Sequence, residues 1–232
     1  MTSSVDLSSR GYRGNLEALR SAQKPARGTA AYSRLVNRPL GRRVAAAAHT
    51  VGMTPNQATA ASATLSGLAL LLLATTRPGW LTAALVPTLL AAGYVMDSVD
   101  GQLARLRGGG SRSGEWLDHT VDCFKTCLFH LAVLVSWYRF PPVASHLALL
   151  VPVAFEVVDM VAFFGLVTMP LLRTTASTAP TAPPAAPEHP LRTWLILPTD
   201  YGVFCWVFAL MAWPTAFFAG YTGLLLVNAP VP

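Results

Sequence analysis

Long apolar stretches alternate with short polar ones along most of this chain. Nearly uninterrupted apolar segments run from about Asn56 to Thr76, Trp80 to Met96, Trp116 to Tyr138, Val143 to Leu172, Thr193 to Trp213 and Pro214 to Asn228. Each approaches the roughly 20 residues that an α-helix needs to cross a hydrocarbon core. The pattern therefore predicts an all-α integral membrane protein with six transmembrane helices. The second run is short, the fourth is long enough to tilt or project, and the last two meet at Trp213-Pro214, a tight turn or a kink. Ahead of them, Tyr32 to Val51 interleaves Leu35, Val36, Leu40, Val44 and Ala45 with Arg34, Arg38, Arg42 and Arg43. That mixture predicts an amphipathic helix lying in the membrane interface, with Pro39 as a point at which it breaks.

Composition agrees with the pattern, since a chain 53% hydrophobic and only 12% charged is too oily for an ordinary soluble domain. Charge then orients it. Nine Lys and Arg precede Asn56, Arg105, Arg107 and Arg112 separate the second and third runs, and Arg173 and Arg192 separate the fourth and fifth, whereas the opposite loops hold only Arg77 and Arg139. Positive loops stay cytoplasmic, so both termini are expected on the cytoplasmic side of the cell (inner) membrane. This asymmetry and an anionic lipid surface account for the net charge of +6, which makes membrane lipids, and not nucleic acid, the expected partners. The N-terminus is polar and Arg-rich without an early apolar core, so no cleavable signal is expected. Residues 1–30 read as a poorly ordered cytoplasmic segment and 31–228 as the membrane domain. Within the latter, the Pro/Ala/Thr-rich residues 174–190 read as a flexible cytoplasmic loop. Cys123, Cys127 and Cys205 fall in apolar runs and read as small buried residues.

Against that background four aspartates stand out. Asp97 and Asp100 are three apart at the end of the second run, and Asp118 and Asp122 are four apart at the start of the third, so each pair projects from one helix face. The LRGGGSR between them is a turn, which brings both pairs together. Four like charges in one place require cations, and an all-carboxylate site suits hard ions such as Mg²⁺ or Mn²⁺. The neighbours suit a nucleotide diphosphate: Gly101 and Gly114 leave backbone space, Ala104 keeps the helix surface low, Arg105 offers a fork for phosphate oxygens, and Ser111 offers a hydroxyl and an N–H. His119 beside Asp118 reads as a surface or packing residue that could share proton work. Lys125, one turn after Asp122, could offset carboxylate charge or reach an anionic substrate.

Written out, the stretch is D-x2-D-G-x2-A-R-x8-G-x3-D-x3-D, with Asp97, Asp100, Gly101, Ala104, Arg105, Gly114, Asp118 and Asp122 in its eight fixed places. This resembles the signature of the CDP-alcohol phosphotransferases, integral membrane enzymes of phospholipid synthesis. GMTPNQAT at Gly52 to Thr59 likewise looks like the stretch that opens the first membrane helix of many members. The resemblance implies that Asp97, Asp100 and Asp118 bind one or two divalent metals, and that Asp122 both touches metal and deprotonates the acceptor hydroxyl. It implies further that Gly101, Arg105 and Ser111, with Thr54, Pro55, Asn56 and Gln57, meet the CDP portion. The expected partners are then a CDP-linked lipid donor, an alcohol acceptor and a second copy of the chain in a homodimer. A cation transporter would carry its carboxylates near the bilayer midplane, and a lipid phosphatase has no use for a CDP pocket.

CDP-diacylglycerol is the donor expected, although WLDHTVD also resembles the FDHxxD version of choline and ethanolamine phosphotransferases, which act on diacylglycerol. For the acceptor, the fourth run lacks the YxKAR-like basic cluster of members that use glycerol phosphate or inositol phosphate. It offers Glu156 and Asp159 instead, three apart. With Lys125 these are candidate acceptor contacts, and two carboxylates there favour an unphosphorylated polyol or amino alcohol.

Overall fold

A computed structural model describes residues 11–22, 29–176 and 196–229. They form helices joined by short loops, with no strand among the described residues. Helix α1 spans Tyr12–Ser21 and α2 spans Arg38–Thr50, the latter entered through a wider, π-type stretch at Ser33–Asn37. Then come α3 (Pro55–Thr75), α4 (Trp80–Leu106), α5 (Arg112–Arg139) and α6 (Leu150–Ala176). The last two are α7 (Tyr201–Val207), continued by a 3-10 stretch at Phe208–Ala212, and α8 (Pro214–Asn228).

Four helical segments, α3, α4, α5 and His146–Pro170, are long and apolar enough to cross a bilayer. Six full-length spans are not what the described residues show, because Tyr201–Ala212 and the 15-residue α8 are shorter. The run expected from Thr193 to Trp213 is cut by its own polar groups. Asp200 accepts from the backbone N–H of Gly202 at 2.8 Å and so starts α7 afresh, and Trp213-Pro214 ends the 3-10 stretch in an extended residue. The second run, by contrast, is longer than its apolar part. At 27 residues α4 is about 40 Å long, against about 30 Å of hydrocarbon, so a bilayer-length segment that begins at Trp80 ends near Asp100, with Asp97 one turn inside it and the residues after Asp100 beyond it.

Pro39 does not break the amphipathic segment. The N–H of Arg38 reaches back five residues to the Ser33 carbonyl, and this widened turn accommodates the proline ring that an ordinary turn would clash with. Residues 12–21, within the segment expected to lack order, form α1 instead. Its Leu19 and Asn15 are buried against α2, where Asn15 Nδ2 donates to the Ala46 carbonyl at 3.3 Å. Residues 1–10, 23–28 and 177–195, and with them most of the proposed mobile loop and Arg192, lie outside the described residues.

The interior has two parts. An aromatic core gathers Phe129 and Trp137 of α5, Phe155 of α6, Phe204 of α7, Phe208 of the 3-10 stretch and Phe217 and Tyr221 of α8. The second joins α1 and α2 to the far end of α4, with Ala45, Ala46 and Ala48 covering Val99 and Leu103. Gly41 of α2 lies so close to α4 that a Cβ there would come within 2.7 Å of Ser98 Oγ, so Ser98, the residue after Asp97, is held from behind.

Candidate active site

The ends of α4 and α5 meet through a five-residue turn, Arg107 to Ser111. Gly108 and Gly109 have φ of 87° and 134°, a region that side chains disfavour, and the chain reverses there. Ser111 caps α5 by accepting from Gly114 N–H at 3.0 Å. Arg107 reaches across to the carbonyls of Gly52 and Met53, 3.0 Å each, which ties the turn to the loop before α3.

This geometry brings the four aspartates together. Asp97 interacts with Asp122 and Asp100 with Asp118, while ligand atoms of Asp118, His119 and Asp122 all lie within 4.8 Å of one another. His119 itself is exposed. Asp100 is buried and held on both oxygens: Oδ2 accepts from Thr59 Oγ1 at 2.8 Å, and Oδ1 accepts from the N–H of Gly101. Asp118 Oδ1 is buried with no hydrogen-bond partner. One ammonium, that of Lys125, stands among the four carboxylates, 2.5 Å from Asp97 Oδ1 and 2.6 Å from Asp122 Oδ1. The orphaned oxygen of Asp118 and the excess of carboxylate charge fit a hard divalent cation at this end of the cluster.

Beside the carboxylates opens a cavity of about 630 Å³. Thr54, Pro55 and Asn56 from the start of α3 form one wall, Gly101, Ala104 and Arg105 of α4 another, and Ser111 and Gly114 the third, with Asp100 and Asp118 on its floor. Its size suits a nucleotide. Arg105 Nε is buried without a partner. Of the residues assigned to CDP, Gln57 alone does not line this cavity. Its side chain accepts from the N–H of Thr54 while its own N–H donates to Thr54 Oγ1, a reciprocal cap on α3.

The acceptor candidates separate. Lys125 is within the carboxylate cluster. Glu156 and Asp159 are not among the residues lining the cavity: Asp159 Oδ2 is 2.9 Å from Nε2 of the buried His130, whose Nδ1 meets Tyr221 Oη at 2.5 Å. Two site contributors are absent from the sequence expectations. Thr59 and Ser62 fall at three-residue spacing on the α3 face toward α4, and Ser66 extends that row. A line of small polar residues in an apolar helix is the signal that marks them.

A sequence model of the family described as CDP-alcohol phosphatidyltransferase matches residues 52–227, well over half of the chain and including every residue that lines the cavity. The chain belongs to the CDP-alcohol phosphatidyltransferase family. Among curated proteins, a phosphatidylinositol phosphate synthase of Corynebacterium glutamicum is 38% identical over 117 residues, 49% of this chain and 51% of that protein. The chain thus spans about half the length of the curated relative it matches. Among solved structures, the phosphatidylinositol phosphate synthase of Mycobacterium tuberculosis with CDP-DAG bound superposes with a TM-score of 0.54 at 23% identity, covering 84% of this chain and 88% of that one. The same mycobacterial protein in complex with manganese and citrate gives a TM-score of 0.52 at 25% identity, with 83% of each chain covered. The helical arrangement of this phosphatidyltransferase family member is therefore that of a membrane-enzyme family whose solved examples include a CDP-lipid complex and a manganese complex.

Proposed function

We propose that the protein transfers a phosphatidyl group from CDP-diacylglycerol to the hydroxyl of an acceptor alcohol and releases CMP. The observation that carries this reading is the meeting of four aspartates beside a nucleotide-sized cavity, which Asp100 and Asp118 line, near the end of a helix long enough to reach the bilayer surface. A lipid-anchored pyrophosphate and a water-soluble acceptor meet at that depth. The mycobacterial relative holding CDP-DAG supports the donor.

Asp97, Asp100, Asp118 and Asp122 are the residues that would hold Mg²⁺ or Mn²⁺, which supplies neutralisation of the pyrophosphate and of the leaving CMP. Arg105, with its unpartnered Nε directed into a buried position, supplies a bidentate contact to phosphate oxygens. Thr54, Pro55 and Asn56 face the nucleotide from α3, and Gly101, Ala104 and Gly114 leave it room. Asp122 accepts the proton of the acceptor hydroxyl as the oxygen attacks the phosphorus distal to cytidine. The protein is read as spanning the membrane with both termini cytoplasmic, α2 lying in the interface, α7 and α8 completing six membrane-inserted helices, and a homodimer as its assembly. Exposed Leu35, Val36 and Leu40 on and before α2 support the interfacial placement.

For the acceptor, the carboxylates of α6 give little reason to exclude a phosphate, because Asp159 is engaged by His130 and neither it nor Glu156 lines the cavity. A phosphorylated inositol is thus the second reading beside an unphosphorylated polyol or amino alcohol, and the name of the corynebacterial relative favours it. Purified protein incubated with CDP-diacylglycerol, Mn²⁺ and a panel of acceptors should release CMP only when the right alcohol is present. Phosphate release without CMP, or CMP release indifferent to every acceptor, would overturn the transferase reading.

A further inference from the structure

One half of the carboxylate cluster already holds a cation of the protein's own. Lys125 Nζ lies 2.5 Å from Asp97 Oδ1, 2.6 Å from Asp122 Oδ1 and 3.3 Å from Ser62 Oγ, so its three protons have three acceptors. Ser62 is fitted to that role: its hydroxyl donates to the Gly93 carbonyl at 2.9 Å, which leaves the oxygen to accept from the ammonium. The lysine side chain is only 15% exposed, and its stem rises from α5 one turn beyond Asp122. The other half of the cluster differs. Asp100 is satisfied by Thr59 and Gly101, and Asp118 Oδ1 is a buried oxygen with no hydrogen-bond donor.

We propose that this chain binds one divalent cation and not two, because the Lys125 ammonium stands between Asp97 and Asp122 where a second ion would have to sit. The inference rests on reading the four aspartates as a metal site. Two ions clamping a phosphoryl displacement stand about 3.5–4 Å apart, and Mg²⁺ draws oxygen ligands to about 2.0–2.1 Å. Asp97 and Asp122 each already give one oxygen to an ammonium that no ion can share space with. Displacing it would strand a buried cation, since Ser62 is its one polar partner outside the two carboxylates among the described residues. Lys125 thus supplies fixed positive charge at the Asp97–Asp122 end, and the single ion sits toward Asp100 and Asp118, beside the cavity, with one oxygen each of Asp97 and Asp122 left for it. In this role Lys125 is a positioning residue for Asp122 and is not free to contact an acceptor.

The test counts metal. Full-length protein in detergent is saturated with Mn²⁺, freed of excess by gel filtration and analysed for manganese per chain, with calorimetric titration as a second count. The expected result is one Mn²⁺ per wild-type chain and two in Lys125→Met, whose apolar side chain has similar length and no charge. The melting temperature of the variant should also rise with Mn²⁺ by more than that of the wild type. Two Mn²⁺, or none, in the wild type overturns the proposal without reference to any variant, and so does a folded Lys125→Met that still binds one. Acceptor-dependent CMP release from the same preparation keeps the two readings apart. Two bound Mn²⁺ with CMP release rejects the lysine's role and retains the transferase, whereas one bound Mn²⁺ with no CMP release under any acceptor rejects the transferase alone.

Discussion

Thr59 of α3 donates a 2.8 Å hydrogen bond to Asp100 of α4, so the helix that forms one wall of the cavity also orients a carboxylate that lines it. Replacing Thr59 by the isosteric Val removes the donor and leaves a buried carboxylate oxygen unmet. A hydrogen bond to a charged group is worth about 1.5–3 kcal/mol. Thr59→Val should therefore weaken Mn²⁺ binding by about 10- to 100-fold, read by calorimetric titration, while Thr59→Ser restores most of it. Equal affinities in wild type and Thr59→Val would remove the coupling between the two helices.

Asp122→Asn keeps the shape and loses the proposed base and the negative charge that pairs with Lys125. Turnover measured as CMP release should fall by about 10²–10⁴-fold, the range for losing a general base. The protein should still elute as a folded species from gel filtration. Near wild-type turnover in this variant would transfer the proton-accepting role to another group.

Arg105→Lys retains the charge and loses the fork. Because Arg105 lines the cavity with its Nε buried and unpartnered, the change should raise the KM for CDP-diacylglycerol by about tenfold, the cost of roughly one charge-assisted hydrogen bond. Competition between labelled CDP-diacylglycerol and a CDP-amino-alcohol measures this and ranks the donors at once. An unaltered KM would place the phosphate contacts elsewhere.

Asp159→Asn tests whether the α6 carboxylate belongs to the core or to the acceptor. Its bond to the buried His130, itself bonded to Tyr221, puts it in the packing of α5, α6 and α8. The substitution should lower the thermal midpoint, consistent with about 1 kcal/mol for a disturbed, partly buried hydrogen bond, and leave the ranking of acceptors unchanged. A reversal of acceptor preference at unchanged melting temperature would restore Asp159 to the substrate site.

The aspartates and their small neighbours were legible because helix periodicity alone decides which of them share a face, and the glycines of the turn announce the reversal that joins the two faces. Lys125 was legible as a residue on the face of Asp122, but the spacing says nothing about Asp97, which reaches the same ammonium only through the packing of α4 on α5. Thr59 was hidden for the same reason, since its partner is 41 residues away. The described part of the fifth apolar run is shorter than its hydropathy suggests, because hydropathy does not register capping. Asp200 stops and restarts the chain there, and it also accepts from the Ser33 N–H at 2.8 Å to anchor the entry to α2. Glu156 and Asp159 share a face as their spacing requires, yet which neighbour that face meets is set by α5 and α8.

The seam between α2 and α4 bears on what counts as the smallest autonomous unit. The family match begins at residue 52, just after α2. Yet Ala45, Ala46 and Ala48 are the cover over Val99 and Leu103, the residues immediately flanking the Asp100 turn. A version of the protein trimmed to the matched region would bare an oily strip on the reverse side of the carboxylates, at the depth where water and headgroups begin. It would lose the wedge at Gly41 that keeps Ser98 in place. Homology and foldability thus draw different borders on this chain, and α1 and α2 belong inside the second.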